Sequence, residues 1–300
     1  MTLPNFLIIG SQKAGTTSVY NYLKQHPQVF VSPIKETNYF VHVARNPEIL
    51  PYVPKASLPV RSLEAYQDLF REVSSETAIG EASHLYLTDP CAADHIRRHL
   101  PQARLIAVLR DPVERAFSAY WMRVRDGRET RSFEQAVEDE QQGRFEPSLE
   151  LGGRFYVRTG FYAGHLKPYL RMFDRSRIAI MLFDDLEADA TGFMREVFGF
   201  LGVDDGFAPE TSVRHNASGL PRRGLLLPLL HKNVLTRTVR RVLPEALGRR
   251  AASAQDAWRS RQLSKPAMAP EMRRALVAEF RDDIRELQDI TGRDLSSWLA

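Results

Sequence analysis

Short apolar runs alternate with amphipathic stretches along most of this chain. Phe6-Leu7-Ile8-Ile9 is unbroken apolar sequence closed by Gly10, the pattern of a strand buried on both faces. Val19, Tyr22 and Leu23 recur at helical spacing and predict a helix over 16–25. Val29–Val31 reads as a second strand, stopped by Ser32-Pro33. Pro47, Pro51, Pro54 and Pro59 interrupt residues 42–62, which read as a surface loop. A helix over 63–73 and a strand at Ala78-Ile79-Gly80 follow. Asp89-Pro90 and Asp111-Pro112 each have the form of a cap with proline at the first helical position. They predict helices reaching Leu100 and about Arg125, with a buried strand over 105–109 between them. Further helices are predicted over 133–141, 160–173, 186–201 and 269–290, with a strand over 178–183. Strands separated by helices argue for an α/β fold with a central parallel sheet of about five strands flanked by helices. The whole of 1–300 reads as a single domain.

Composition narrows the class. The chain has 300 residues, of which 43% are hydrophobic and 26% charged, so a disordered or fibrous protein is excluded. A single cysteine, Cys91, excludes a disulfide framework and a multi-cysteine metal site. No apolar run approaches the ~20 residues that span a bilayer. No leader pattern precedes the first strand, so the expected location is cytoplasmic.

Net charge is only +4, but it is unevenly placed. Residues 220–262 carry ten Arg or Lys against two acids, Glu245 and Asp256. Leu235, Val239, Val242, Leu243 and Leu247 recur at helical spacing opposite Arg237, Arg240 and Arg241. This Arg-rich amphipathic helical segment is a solvated face or a surface for anions or a membrane. No nucleic-acid-binding motif accompanies it.

The first strand leads into Gly10-Ser11-Gln12-Lys13-Ala14-Gly15-Thr16-Thr17-Ser18. Glycines let a backbone approach an anion, and the following helix N-terminus favours negative charge. The two glycines have the spacing of G-x-x-x-x-G-K-[ST], but Thr16 stands where that lysine belongs. The lysine lies inside the loop, at Lys13. Such a loop offers neutral donors to one phosphate and a cation to an adjoining bridging oxygen. It needs neither a triphosphate nor a metal.

Three stretches together resemble the sulfotransferases that use 3′-phosphoadenosine 5′-phosphosulfate (PAPS). They are the loop 10–18, the segment from Arg104 through Arg110-Asp-Pro-Val-Glu-Arg115-Ala-Phe-Ser118-Ala-Tyr120, and Pro33-Ile-Lys-Glu36-Thr-Asn-Tyr39-Phe40. The third is similar to the glycosaminoglycan-type strip that carries the catalytic base. Weaker echoes lie at Gly80-Glu81-Ala-Ser83, Gly160-Phe-Tyr162-Ala-Gly-His165 and 290–298. The resemblance implies that Lys13, Ala14, Gly15, Thr16, Thr17 and Ser18 hold the 5′-phosphosulfate. It implies that Arg110 and Ser118 hold the 3′-phosphate, with Arg261 and Lys265 as further candidates from a late basic loop. Lys13 would also stabilise the leaving oxygen, and Glu36 would be the general base. The implied acceptor is a hydroxyl or amine on a sugar, lipid or secondary metabolite, and no metal is implied.

The chain departs from the glycosaminoglycan pattern at Asn38, where a histidine is common, and at Ala82, where a lysine is common. A histidine base therefore stays open, with His42, His84 and His165 as candidates. Tyr39, Phe40, Tyr86, Tyr156 and Tyr162 are candidates for an acceptor cleft or for the core. Two rivals also stay open. One is a P-loop kinase or NTPase, with Asp184-Asp185 imitating a metal ligand after a strand. The other is a non-catalytic anion- or membrane-surface-binding protein contacting its target through 220–262.

Overall fold

The computed structural model describes residues 2–41, 58–144, 155–212, 220–221, 263–264 and 267–300. Five parallel strands form the central sheet: β1 (Phe6–Gly10), β2 (Val29–Val31), β3 (Ala78–Ala82), β4 (Arg104–Leu109) and β5 (Ile178–Leu182). Their spatial order is β2-β3-β1-β4-β5, so β1 is central. Side chains alternate across it: Phe6 and Ile8 enter one apolar cluster, Leu7 and Ile9 the other. Strand β4 divides likewise, Ile106 and Val108 to the first cluster, Leu105, Ala107 and Leu109 to the second. The sheet is thus the middle of three layers, and its unbroken apolar runs follow from burial on both faces.

Helices α1 (Thr16–Leu23) and α8 (Ala190–Leu201) cover the first face through Val19, Leu23, Met194 and Phe198. The second face is covered by α3 (Ala92–His99), α4 (Pro112–Arg125), α6 (Tyr162–Met172) and the C-terminal helix Pro270–Thr291. Short α2 (Leu63–Asp68), α5 (Phe133–Gln141) and α7 (Phe183–Ala188) complete the set used below. Chain crossings run from β1 to one side and from β4 to the other. The switch therefore lies at the carboxyl ends of β1 and β4, where open α/β sheets form a ligand crevice.

Several boundaries differ from the sequence expectation. The Asp111-Pro112 cap forms as predicted, Asp111 Oδ1 accepting from Val113 N at 2.8 Å and Glu114 N at 3.2 Å. Asp89 does not cap α3. Its Oδ1 takes Cys91 N at 3.0 Å in a turn, and Cys91 becomes the N-cap. The helix expected over 186–201 is two helices, because Asp189 caps a new one by accepting from Gly192 N at 2.9 Å. It ends, as expected, at Gly202, whose φ of 73° suits glycine. The helix expected over 63–73 stops at Asp68, and that over 160–173 begins at Tyr162.

Residues 58–60 correct the surface-loop expectation: Leu58 and Val60 are in the core. Most of the Arg-rich stretch 220–262, with its predicted amphipathic helix, lies outside the described residues, as do His42, Arg261 and Lys265.

Candidate functional site

The loop 11–15 leaves β1 at the centre of the sheet and enters α1. Ser11 N donates to Val108 O at 2.6 Å, tying the start of the loop to β4. Lys13 has a φ of 67° and Gly15 a φ of 84°. At Gly15 a β-carbon would lie 2.7 Å from Leu186 Cδ2 and 2.9 Å from Phe183 Cδ2, so both conformation and space require glycine. Gly15 is also the N-cap of α1, without a side chain to occupy the helix end. The opening amides of a helix have no intrahelical acceptor, so this turn presents donors and the positive end of the dipole.

Arg110 follows the last residue of β4, the neighbour of β1. Its Nη1 donates to Lys13 O at 3.4 Å, and its guanidinium lies 4.6 Å from the centre of the Phe183 ring. Arg110 Nη2 also pairs with Glu114 Oε2 at 4.0 Å, one turn along α4, while Glu114 Oε1 accepts from Arg273 Nη2. Ser118 lies two turns into α4 and is buried. The structure thus brings the loop and Arg110 together. Phe183, which also packs on Gly15, was missed as a site residue because it reads as the last residue of an apolar strand.

The strip 32–41 after β2 continues the sheet pairing, Glu36 N donating to Ala82 O at 2.8 Å. Glu36 and Asn38 have φ values of 62° and 52°, uncommon for residues with a β-carbon. Glu36 Oε2 lies 2.8 Å from His84 Nδ1 and accepts from His84 N at 3.0 Å. Its Oε1 accepts from Lys35 Nζ. Burial alone would raise the Glu36 carboxyl, but His84 and Lys35 outweigh it and hold the group down at about 2. The two base candidates, Glu36 and His84, therefore form one pair. His84 supplies the imidazole that Asn38 does not. The backbone of His84 passes close to the end of β1, from which the loop starts: a β-carbon on Gly10 would lie 3.3 Å from His84 O.

Other candidates resolve as structure. His165 Nε2 is 3.0 Å from Arg158 O, and burial lowers its affinity for a proton. Tyr39, Phe40, Tyr86, Tyr156 and Tyr162 are all at most 1% exposed, so they belong to the core rather than to a cleft. Tyr39 stacks on Tyr66 at 4.5 Å. Asp184 and Asp185 are engaged by the C-terminal segment, Asp184 accepting from Trp298 Nε1 at 3.0 Å and Asp185 from Arg293 Nη2 at 2.9 Å. Among the described residues, no helix is long and apolar enough to cross a membrane.

Comparison with known proteins gives the family. Residues 4–208 match the model of the sulfotransferase family. The chain is 27% identical to mouse bifunctional heparan sulfate N-deacetylase/N-sulfotransferase 4, with 99% of the chain covered and 31% of that protein. It is 25% identical to mouse heparan sulfate glucosamine 3-O-sulfotransferase 3B1, over 97% of the chain and 64% of that protein. The chain therefore spans only part of these curated relatives. A crystal structure of a sulfotransferase from Alicyclobacillus acidocaldarius superposes with a TM-score of 0.73 at 30% identity, covering 100% of both chains. With the loop, the basic strand end and the sheet order in place, the chain belongs to the sulfotransferase family.

Proposed function

We propose that this protein transfers the sulfuryl group of PAPS to a hydroxyl or amine of a glycan or small-molecule acceptor. The observation that carries the reading is the junction of the loop and Arg110 across β1 and β4, beside the Glu36–His84 pair. Loop residues 13–18 hold the 5′-phosphate, with the α1 amides and the Thr16 and Thr17 hydroxyls as donors. Arg110 and Ser118 take the 3′-phosphate, the guanidinium giving charge-assisted bonds. Arg261 and Lys265 are candidates for the same phosphate.

The acceptor oxygen or nitrogen attacks sulfur in line. As its bond to sulfur forms, the bond from sulfur to the bridging phosphate oxygen breaks, and the electron pair leaves with the nucleotide. Lys13 stabilises the charge on that oxygen, and the Glu36–His84 pair accepts the acceptor's proton. Catalysis is therefore positioning and charge stabilisation. A glycan is the first acceptor class to test, since the relatives' names specify heparan sulfate. The 220–262 segment is a candidate for admitting the acceptor or for contact with a membrane surface, and a cytoplasmic location belongs to the same reading.

The test is incubation with sulfur-labelled PAPS and completely desulfated heparin, which offers both amines and hydroxyls. Labelled polysaccharide with matching release of adenosine 3′,5′-bisphosphate (PAP) is expected. Release of phosphate from ATP, with none of PAP from PAPS, would favour the kinase reading instead.

A further inference from the structure

Glu81 is the last but one residue of β3 and is fully buried. Through neighbouring hydroxyls it anchors the strip that carries Glu36. Ser83 Oγ donates to Glu81 Oε2 at 2.7 Å, and Tyr86 Oη donates to Glu81 Oε1 at 2.6 Å. Tyr66 Oη adds a longer bond to Oε1 at 3.3 Å. Each of the first two hydroxyls spends its only hydrogen on the carboxylate, so its oxygen must act as acceptor toward the other side. Those acceptors are used. Ser83 Oγ accepts from Asn38 N at 3.1 Å, and Tyr86 Oη, 3.0 Å from Thr37 Oγ1, accepts from that hydroxyl. Two hydrogen-bond chains thus run from residues 37 and 38 into one carboxylate, both pointing the same way.

This arrangement explains how Glu36 and Asn38 are kept in the left-handed region, which residues with a β-carbon hold only where the surroundings impose it. Resting on the sulfotransferase reading, we infer that Glu81 is a positioning residue of the reaction: its negative charge orients the Ser83 and Tyr86 hydroxyls, which in turn hold the strip so that Glu36 meets His84. An amide in its place sets an NH2 group, which cannot accept, against one of the two hydroxyls; that hydroxyl must send its hydrogen elsewhere, and one chain loses its link into residue 81.

Burial pushes the Glu81 carboxyl up to about 7, with the charge of Glu36 adding to the rise and the hydroxyl bonds opposing it. The other ionisable groups facing it are Tyr66 from α2, Tyr86 after β3 and Tyr20 from α1. The folded protein therefore holds this charge against a desolvation cost, and removing the charge relieves that cost. A merely structural residue would do the opposite.

The experiment compares Glu81→Gln and Ser83→Ala with the unmodified protein at pH 8, using PAPS with desulfated heparin. PAP release, PAP affinity and melting temperature are measured together. The expected result for Glu81→Gln is a loss of ~10-fold or more in kcat, unchanged PAP affinity, and a melting temperature no lower than the original. Ser83→Ala should lose kcat as well, and the double variant should lose little more than Glu81→Gln alone, since both break one chain. Full kcat in Glu81→Gln, or a loss that tracks a fall in melting temperature and PAP affinity, would overturn the inference while leaving the sulfotransferase reading intact. An unmodified protein that releases no PAP would overturn both.

Discussion

His84 Nδ1 lies 2.8 Å from Glu36 Oε2, although the two residues come from different connections of the sheet. The pairing follows from the parallel register of β2 and β3, whose carboxyl ends deliver both residues to one place, and from the left-handed turn at Glu36. Glu36→Gln keeps the shape of the side chain but removes the charge that faces His84 and Lys35. Turnover should fall by ~10²-fold or more, with PAP affinity little changed. Near-normal PAP release by that variant would take Glu36 out of the mechanism.

Glu129 gives a separate, structural prediction. Its carboxylate accepts from Tyr156 Oη at 2.9 Å and from Arg131 Nη2 at 2.7 Å, and it is 5% exposed. Burial alone would raise it, but these bonds and those from the Arg131 backbone hold it down at about 2, against an ordinary value of 4.5. A carboxyl lowered by folding adds stability above its unfolded pKa, and that stability disappears as pH falls through the folded value. The shift corresponds to about 3 kcal/mol at most. Glu129→Gln should lower the urea midpoint clearly at pH 7, and the gap should shrink as the pH falls from 4.5 toward 2. A gap independent of pH would remove the charge from the account.

Much of the layer architecture was legible because burial on both sides of a parallel sheet leaves apolar runs such as 6–9 and 105–109. The glycine loop and the Asp111-Pro112 cap were legible because they are local chemistry. What depends on tertiary placement was not. Nothing near Glu36 in sequence announces His84, and for the aromatic residues 39, 40 and 86 a cleft stayed open beside the core that they fill. Asp89 resembled Asp111 in sequence, yet lies two residues before the N-cap of α3 and spends its oxygen on Cys91 N. The split at Asp189 was readable in principle, since an aspartate three residues before Gly192 is an N-cap pattern. Phe183 shows the limit of motif reading: its contribution is a ring packed at once on Gly15 and under Arg110.

The central claim is that the loop and Arg110 grip one nucleotide that bears phosphates at both ends of its ribose. Titration calorimetry with PAP on the unmodified protein and on Arg110→Ala tests it most directly. The account predicts one molecule bound per chain, without added metal, and a loss of roughly 10- to 100-fold in affinity on removing the guanidinium. No binding by the unmodified protein, or equal affinity in Arg110→Ala, would contradict it.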